Sequence, residues 1–593
     1  MAWGISIVLP CEHPFGRIAT LDNWFAFGFR ILRDTLQAIS ILALAISVSV
    51  FLPRIGLVIE RVILKSRRWQ FLTVTMLLTF LTSVLFNYIV FESFPNVIDE
   101  IAMLFQAKLL ATGRLFAETP KLIDFFDTEF IVADGPRWYG KYFIGSSLIL
   151  IPGVWLGVPW IINPILSTAA IYLTYIIGFN LFNDKIARVA TLLMLISPFR
   201  VVIFASMMSH PVCLVTMTLF ALSAIKAVKD PTRFGWALVA GSSLGFALNC
   251  RPLTAVAMGS VIGLAALYNM PWRQFRWQTV AAFVAPLLLF AFVFFSYNKA
   301  LTGDIFVTPF NKWSPNDHLG FGPDVGLEYW PEVDRGYSLE KALFKNTYFN
   351  LEGLGINLLG WGHVTFLLLL WPILFSSWPK RTWALAAIVA GLMLAYFFYI
   401  THAVLAGLPR YWSEVMPMMF MIVAIALVGI RRKLPLICQR FDIRPAVRTG
   451  RAACWLAGLM ITIWGVPYGY GMIINEWCFD WKTRGDRDRV YRLVKETNLG
   501  NALVFIETGY YRDPKQNNID EYRLLLIRND PDLNGSIIYA RDLGARNTEL
   551  INQYPQRKAY RFVRDQYGLE DQLVLISSPD IREEEINSAS KPP

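Results

Sequence analysis

Long apolar stretches of close to bilayer length recur along the chain, with polar segments between them. A hydrocarbon core of about 30 Å needs roughly 20 helical residues, and backbone groups in lipid must form their hydrogen bonds within one helix. The pattern therefore predicts a polytopic all-α membrane protein with about twelve spanning helices. The predicted spans are residues 38–60, 70–91, 161–182, 187–206, 212–228, 235–250, 253–270, 278–298, 361–377, 382–403, 411–430 and 452–474. The hydrophobic fraction of 55% and the mean hydropathy of +0.44 agree with lipid as the main solvent.

Basic residues occur in every second loop between the predicted spans. They are Arg61, Lys65, Arg67, Arg68, Lys185, Arg188, Lys226, Lys229, Arg233, Arg273, Arg276, Lys380, Arg381, Arg431, Arg432 and Lys433. Cytoplasmic loops carry an excess of Lys and Arg, so this alternation predicts topology, and the net charge of +11 does not indicate a nucleic-acid partner. The segments predicted to face outward are residues 92–160, 207–211, 299–360 and 404–410, and everything after residue 475.

The first outward segment, residues 92–160, is too long to be a simple connection. Its apolar stretch from Val97 to Thr112 predicts a helix that lies in the membrane plane and ends at Gly113. A second apolar piece, Tyr142 to Trp160, is interrupted by prolines and glycines, and the charge alternation holds only if it does not span. The 299–360 loop is rich in Asp, Asn, Gly, Pro and aromatic residues, which predicts an ordered surface loop.

The composition changes after Cys478, where short apolar runs alternate with charged segments that suit helices. Runs such as Ala502–Ile506 and Ser536–Ala540 indicate the strands of a small α/β domain. We therefore divide the chain into a transmembrane domain, residues 1–478, and an extracytoplasmic α/β domain, residues 479–593.

Two adjacent acids, Asp99 and Glu100, occupy the first turn of the predicted helix, behind Asn96 as a candidate N-cap. First-turn acids often do no more than complement the helix dipole, and this alternative stays open. The other interpretation is catalytic, because a carboxylate at the headgroup level can accept the proton of a hydroxyl that attacks a membrane-bound donor.

Three cationic positions on the outward side are candidates for binding an anion. Lys141 belongs to the cationic and aromatic run Arg137–Tyr142, whose residue types are also enriched at membrane interfaces. Arg251 and Arg410 stand at outward turns where the charge pattern does not favour a cation, which suggests an anionic partner. For Arg410, Glu414 one helical turn later is an alternative partner.

The histidines and cysteines do not form a metal-binding motif. His210 lies in a very short outward loop, and no two histidines have the spacing of metal ligands, so an interfacial histidine is favoured over a metal ligand. The six cysteines include no Cys-x-x-Cys pair, and neither a zinc cluster nor a disulfide framework is predicted.

Five features follow one another in a fixed order along residues 70–430. They are the acidic pair in the first outer loop, Tyr-Gly-Lys-Tyr at residues 139–142, Ser197-Pro198 before a short outer loop, Arg251-Pro252, and Gly-Leu-Pro-Arg-Tyr at residues 407–411. In this order the chain resembles the GT-C fold glycosyltransferases that use polyprenyl-phosphate-linked sugars. The bacterial protein O-mannosyltransferase-like enzymes and the lipid A aminoarabinose transferase have the most similar pattern.

The resemblance implies a role for each candidate residue. Asp99 matches the aspartate that takes the proton of the acceptor hydroxyl, and Glu100 matches the neighbouring acid. Lys141 falls where a lysine contacts the lipid phosphate, Arg410 matches the arginine that neutralises the leaving phosphate, and Arg251 adds to that pocket. The implied chemistry is a single inverting displacement at the anomeric carbon. The residues expected to line the substrate cleft are Tyr139, Tyr142, His210 and Tyr411.

One feature departs from the family pattern. Many members carry an acid in the second short outer loop, where this chain has Ser209-His210-Pro211. One carboxylate is therefore missing from any metal site, and we expect metal-independent transfer without a cofactor.

The expected protein is an integral membrane hexosyl- or pentosyltransferase of a bacterial inner membrane, with its active site and C-terminal domain outside the cytoplasm. Its partners would be a polyprenyl-phosphate-linked sugar donor and a lipid, glycan or protein acceptor. The alternative is a transporter or flippase of a lipid-linked or anionic substrate, for which ionisable residues in mid-span and broken helices in both halves are typical. A membrane-anchored scaffold would leave Asp99, Lys141 and Arg410 without a shared role.

Overall fold

The computed structural model describes residues 21–95, 97–271, 276–326, 336–375, 378–400, 408–477, 489–506, 527–563 and 571–577. Most of these residues are helical, and two small sheets lie in the first outward segment and in the C-terminal domain. The helices before the 299–360 loop are α1 Leu21–Phe51, α2 Pro53–Lys65, α3 Arg68–Val90, α4 Ile98–Ala111, α5 Ile144–Trp155, α6 Ile162–Leu181, α7 Asp184–Ile196, α8 Pro198–Ala205, α9 His210–Lys229, α10 Gly235–Leu248, α11 Pro252–Tyr268 and α12 Trp277–Thr302. The later helices are α13 Pro309–Trp313, α14 Tyr348–Asn357, α15 Val364–Phe375, α16 Pro379–Phe397, α17 Met416–Arg440, α18 Ala446–Trp477, α19 Arg489–Glu496 and α20 Asn547–Gln553.

The described part of the chain contains eight helices that are long and apolar enough to cross a membrane, or nine if the bent pair α7 and α8 forms one span. Four shorter apolar helices, α5, α10, α11 and α15, do not meet that length. The polytopic helical architecture is confirmed, and the number twelve stays a prediction that depends on the shorter helices.

The first predicted span, residues 38–60, was wrong in its bounds. Helix α1 begins at Leu21, and the chain breaks at Leu52, before Pro53 starts α2. A proline disfavours helical geometry in the residue before it, which explains the break. The charged residues near the start of α1 made this stretch look too polar for a long apolar helix. In the structure they are paired with residues of other segments, Arg30 with Glu352 at 2.9 Å and Asp34 with His363 at 2.9 Å.

The stretch predicted as one span at residues 187–206 is two helices that meet at 63°. The Ser197 hydroxyl accepts a hydrogen bond from the Arg200 backbone N–H at 3.2 Å and so caps α8. The fully buried Arg200 guanidinium donates to the Met194 and Leu195 carbonyls at the end of α7. These carbonyls would otherwise lack partners at the bend.

The predicted cytoplasmic loops meet at one end of the helical bundle. Arg188 donates to Ser66 Oγ at 2.9 Å, Lys229 donates to the Asn180 carbonyl at 3.0 Å, and Glu60 accepts from Arg431 at 2.8 Å. Helix α9 runs from His210 to Lys229 and thereby leads from the opposite end of the bundle to this one. The basic loops therefore lie together and away from His210, as the charge alternation predicted.

Helix α4, predicted to lie in the membrane plane, is enclosed by protein on nearly all sides. Its residues 100–107 are buried. It packs against α5, against the sheet formed by β1 Ala117–Glu118, β2 Ile131–Asp134 and β3 Arg137–Gly140, and against the C-terminal domain.

The C-terminal domain contains the predicted α/β sheet. Its strands are β4 Ala502–Ile506, β5 Ile537–Arg541, β6 Lys558–Val563 and β7 Gln572–Ser577, in the order β5-β4-β6-β7. Strand β4 is parallel to both neighbours and every residue in it is buried, as the uninterrupted apolar run at 502–506 predicts. The proposed boundary at 478 falls outside the described residues.

The C-terminal domain is bound to the far end of α4 by polar contacts and a shared apolar cluster. Lys108 Nζ donates to the Ile527 carbonyl and, at 3.0 Å, to the Asn529 carbonyl. Arg114 pairs with Asp532 at 2.7 Å. Helix α4 therefore connects the C-terminal domain to Asp99 in its first turn.

We expect Lys108→Met to weaken the attachment of the C-terminal domain by about 1–3 kcal/mol, because two carbonyls of buried residues lose their donor. Arg114→Ala removes only a partly exposed ion pair, for which about 0–1 kcal/mol is expected. The rate at which a protease releases the C-terminal domain from detergent-solubilised protein measures both effects. Equal rates for the two variants would contradict this ranking.

Candidate active site

Asp99 lies in the first turn of α4, at the partly exposed edge of a group of polar side chains. This polar cluster also includes Lys141, Tyr142, His210, Arg251, Arg410, Tyr411 and Glu414. Val97, with φ −132° and ψ 156°, is the residue that precedes the helix, whereas the predicted N-cap Asn96 lies outside the described residues. The Tyr142 hydroxyl donates to Asp99 Oδ1 at 2.6 Å, and Arg410 Nη1 lies 3.6 Å from the same oxygen. The Asp99 side chain keeps 20% of its surface exposed, so a substrate hydroxyl can approach it.

Asp99 is surrounded by groups that favour its ionised form. Burial raises the pKa of the Asp99 carboxyl, but the charge of Arg410 and the hydrogen bond from Tyr142 outweigh burial and hold the pKa below its ordinary value of 3.8. The carboxylate is therefore ionised at neutral pH and can accept a proton.

Lys141 reaches the cluster because strand β3 passes very close to α4. A Cβ on Gly140 would stand 2.6 Å from the Ala102 carbonyl oxygen, so only glycine fits there. The Gly140 backbone N–H donates to Gln106 Oε1 at 2.9 Å, which joins the strand to the same helix that carries Asp99. The following residue, Lys141, is thereby placed beside the cluster.

The Lys141 ammonium lies within a set of aromatic rings. Its Nζ is 3.3 Å from the Phe130 ring centroid, 4.6 Å from that of Phe310 and 5.4 Å from that of Tyr142. The residue is only 2% exposed. Burial lowers the pKa of Lys141 to about 8, although the nearby carboxylates of Asp99 and Asp317 favour the charged form.

Arg410 and Tyr411 enter from the 3-10 helix Arg410–Val415, immediately before α17. The Arg410 guanidinium donates to the Tyr411 hydroxyl at 3.2 Å. The guanidinium carbons of Arg410 and Arg251 lie 5.0 Å and 5.1 Å from the centroid of the Tyr411 ring. One aromatic ring therefore contacts both cations.

Arg251 and His210 converge on a carboxylate that is fully buried, Glu414. Arg251 Nε lies 3.2 Å from Glu414 Oε1, and His210 Nδ1 lies 3.0 Å from the same oxygen. Arg251 also donates to Ser209 Oγ at 3.1 Å and to the Tyr396 hydroxyl at 3.0 Å. The alternative in which Glu414 pairs with Arg410 is wrong, because the described ion pair of Arg410 is with Asp99.

Two predicted site residues are not joined to the cluster by these contacts. Tyr139 is fully buried with Ile144 and Tyr297, because alternation along β3 turns it away from the face on which Trp138 packs against Phe105. Glu100 is also fully buried, and its role as a second acid stays a prediction.

The sequence did not reveal several residues of the site. The sequence pattern indicated Glu414 only as a partner of Arg410, and it did not indicate Asp317 in the 299–360 loop. Asp317 is 2% exposed and faces Lys141 and Tyr399. Phe130 and Phe310, which contact Lys141, come from two separate segments that are predicted to face outward. An acid beside a short aromatic helix in a long loop is the one signal that could have drawn attention to Asp317.

The cluster combines an accessible carboxylate with buried cations and so can serve a reaction in which an anion leaves. The carboxylate is suited to accept a proton, and Arg410 and Lys141 are suited to stabilise a leaving oxyanion in a poorly hydrated place. Among the described residues, no three His, Cys, Asp or Glu side chains form a group that could hold a metal ion. Metal-independent transfer stays a prediction.

Residues 142–299 match the family of the dolichyl-phosphate-mannose-protein mannosyltransferases. The resemblance to membrane glycosyltransferases that use lipid-phosphate-linked sugars is confirmed over this segment. The matching segment includes Tyr142, His210 and Arg251, whereas Asp99 and Arg410 lie outside it. Residues 524–570 match a domain of unknown function, DUF7846. Among proteins with curated functions, none matches this chain in sequence.

The chain is also similar to solved structures. One is ArnT from Cupriavidus metallidurans bound to undecaprenyl phosphate, with 11% identity, a TM-score of 0.49, and coverage of 83% of this chain and 92% of ArnT. Another is the apo oligosaccharyltransferase of Archaeoglobus fulgidus, with 11% identity, a TM-score of 0.45, and coverage of 80% and 65% of the two chains.

Proposed function

We propose that this chain is a membrane glycosyltransferase that moves a sugar from a polyprenyl-phosphate donor to an acceptor hydroxyl. The observation that carries the proposal is the contact of Asp99 with Tyr142 and Arg410, next to the buried Lys141. The family match over residues 142–299 supports the same reaction class. These groups come from three separate segments of the chain, and together they supply a base and two cations.

The proposed reaction is a single displacement at the anomeric carbon. Asp99 takes the proton of the acceptor hydroxyl while the acceptor oxygen forms a bond to the anomeric carbon. The bond from that carbon to the phosphate oxygen breaks, and the polyprenyl phosphate leaves with both electrons. The configuration at the anomeric carbon inverts, because attack and departure occur on opposite faces.

Arg410 and Lys141 would bind the departing phosphate. The charge of Arg251 is already neutralised by Glu414. Its role in the proposed reaction is to hold the Tyr411 ring in place beside Arg410. His210 shares Glu414 and so belongs to this supporting layer of the site. We place the reaction on the outer face, since the cluster lies at the end of the bundle away from the basic loops.

Transfer of a labelled sugar by the purified protein tests the proposal. Polyprenyl-phosphate mannose, arabinose and galactose would each be supplied together with a membrane extract as acceptor. We expect at least one donor to yield a labelled product with inverted anomeric configuration. The proposal would be refuted by absence of transfer from every donor combined with movement of labelled lipid across vesicle bilayers, which is the activity of a flippase.

The charge of Lys141 gives the binding of the lipid phosphate a defined pH dependence. The pKa of Lys141 is about 8, so the ammonium is charged below pH 8 and loses its charge as the pH rises through that value. We expect polyprenyl phosphate to bind up to about tenfold more weakly at pH 9.5 than at pH 7, since a charge-assisted contact is lost. Equilibrium binding of fluorescent polyprenyl phosphate measures this change.

Lys141→Arg is the matched control for this pH dependence, because arginine stays charged throughout the range. Lys108, whose pKa burial also lowers to about 8, is unchanged in that variant. A fall in affinity at high pH that persists in Lys141→Arg would therefore assign the effect to another group and contradict the prediction.

A further inference from the structure

Asp317 is a buried carboxylate that the proposed reaction does not use. It lies four residues after α13, the helix that carries Phe310 to the Lys141 ammonium. The turn that holds it is fixed by the hydrogen bond from the Asp317 backbone N–H to the Ser314 carbonyl at 3.1 Å. The Asn316 carbonyl accepts from the Gly326 N–H at 2.9 Å, so the loop is tied on both sides of Asp317.

Within the part of the chain that the structure describes, neither carboxylate oxygen of Asp317 has a partner at full hydrogen-bond geometry, although the side chain is only 2% exposed. The Ser314 hydroxyl, in the same turn, is also buried and has no partner there. The Tyr399 hydroxyl makes a weak hydrogen-bonding contact with the Asp317 carboxylate, and the nearby Lys141 ammonium favours its ionised form, but neither group has full hydrogen-bond geometry to an Asp317 oxygen.

A buried carboxylate whose donors within the described residues are only these two imperfectly placed groups keeps unused acceptor positions, which indicates a ligand that fills them. A cation is an unsuitable ligand here because Lys141 already faces Asp317. Neighbouring hydroxyl groups of a sugar ring are suitable, since each donates one hydrogen bond and a carboxylate offers two oxygens in one plane.

We propose that Asp317 binds the sugar ring of the donor by accepting hydrogen bonds from its hydroxyl groups, an inference that rests on the proposed glycosyltransferase function. The Lys141 ammonium is close enough to both Asp317 and Asp99 for each carboxylate to act on its charge, so a phosphate bound to Lys141 would bring its attached sugar near Asp317. Asp317 would thus be a specificity-determining residue, while Asp99 remains the base.

The ionisation of Asp317 is compatible with this role. Burial raises the pKa of Asp317 to about 6, with the charge of Lys141 opposing the rise. At pH 7 Asp317 is therefore mostly ionised, and both of its oxygens can accept hydrogen bonds from a ligand.

The test compares two ligands, the sugar-bearing donor that wild type transfers and bare polyprenyl phosphate. For Asp317→Asn we expect about 10- to 100-fold weaker binding of the donor, because hydrogen bonds to a charged group are lost, and about equal binding of bare polyprenyl phosphate. Binding of the bare lipid also shows that the variant is folded. Its thermal midpoint should change little, since asparagine keeps the size of the side chain and the Lys141 ammonium retains the Asp99 carboxylate as a counter-charge.

Asp134→Asn is the matched control, because Asp134 lies in the small sheet and pairs with Lys312 at 3.3 Å outside the cluster. It should bind both ligands as wild type does.

Equal weakening of the binding of both ligands by Asp317→Asn, weakening of neither, or an effect on the KM for the acceptor alone would overturn the inference. If wild type binds bare polyprenyl phosphate with the same affinity as the sugar-bearing donor, the inference about Asp317 fails and the proposed phosphate site is retained. If wild type binds neither ligand, the proposed function itself fails.

Discussion

Asp99→Asn is expected to reduce kcat for sugar transfer by about 10²- to 10⁴-fold, the usual contribution of a positioned general base. The asparagine side chain has the same size and can still accept the hydrogen bond from Tyr142, so the geometry of the site is preserved. It cannot accept the proton of the acceptor hydroxyl. The KM for the donor should change little, because the phosphate is held by Arg410 and Lys141. Single-turnover transfer of labelled sugar measures the loss.

Two further variants make this result specific. Asp124→Asn changes an exposed acid of the same outward segment, which pairs with Arg546 at 2.9 Å, and should leave transfer unchanged. Glu100→Gln distinguishes the contribution of Glu100 to the rate from that of Asp99, because the Glu100 side chain is fully buried whereas Asp99 remains partly exposed. Retention of more than a tenth of wild-type kcat by Asp99→Asn would exclude Asp99 as the base.

Local features of the fold could be predicted from the sequence where the local pattern decides the structure. Helix α4, predicted at Val97–Thr112, is observed at Ile98–Ala111, and the strand predicted at Ala502–Ile506 has those bounds. In both cases the apolar run ends at a change to polar residues or glycine. The extent of α1 could not be predicted, because its charged residues are paired with residues more than 300 positions away, as in Arg30 with Glu352.

The identity of the site residues was partly predictable, but their pairing was not. Asp99, Lys141 and Arg410 are predicted from their local charge patterns and from the order of motifs that carries the resemblance, and the structure brings all three together. Glu414 pairs with Arg251 across the bundle rather than with Arg410 on its own turn, since the 3-10 geometry of residues 410–415 does not place them one α-helical turn apart. The one local signal for Asp317 is its position after a short aromatic helix in a long loop, and its proximity to Lys141 follows only from the folded loop.

Arg410→Ala is expected to lower kcat by about 10²- to 10³-fold, similar to the loss of one donor that stabilises a developing oxyanion. The buried guanidinium contacts Asp99 and Tyr411, and we propose that it neutralises the phosphate as its bond to the sugar breaks. Arg410→Lys should recover part of the rate, because it keeps the charge but loses the planar group that lies over Tyr411.

The pH profile separates this role from a merely structural one. Arg410 lowers the pKa of Asp99, so its removal should raise that pKa and move the acidic limb of the rate to higher pH, because the protonated Asp99 cannot act as a base. The control Arg431→Ala, at the opposite end of the bundle, removes a comparable ion pair with Glu60 and should leave both kcat and the acidic limb unchanged. A contrary result would be a loss of activity by Arg410→Ala that only matches the loss of folded protein, with the acidic limb at the same pH as in wild type. The Arg410 guanidinium would then support the fold, and another cation would have to stabilise the leaving phosphate.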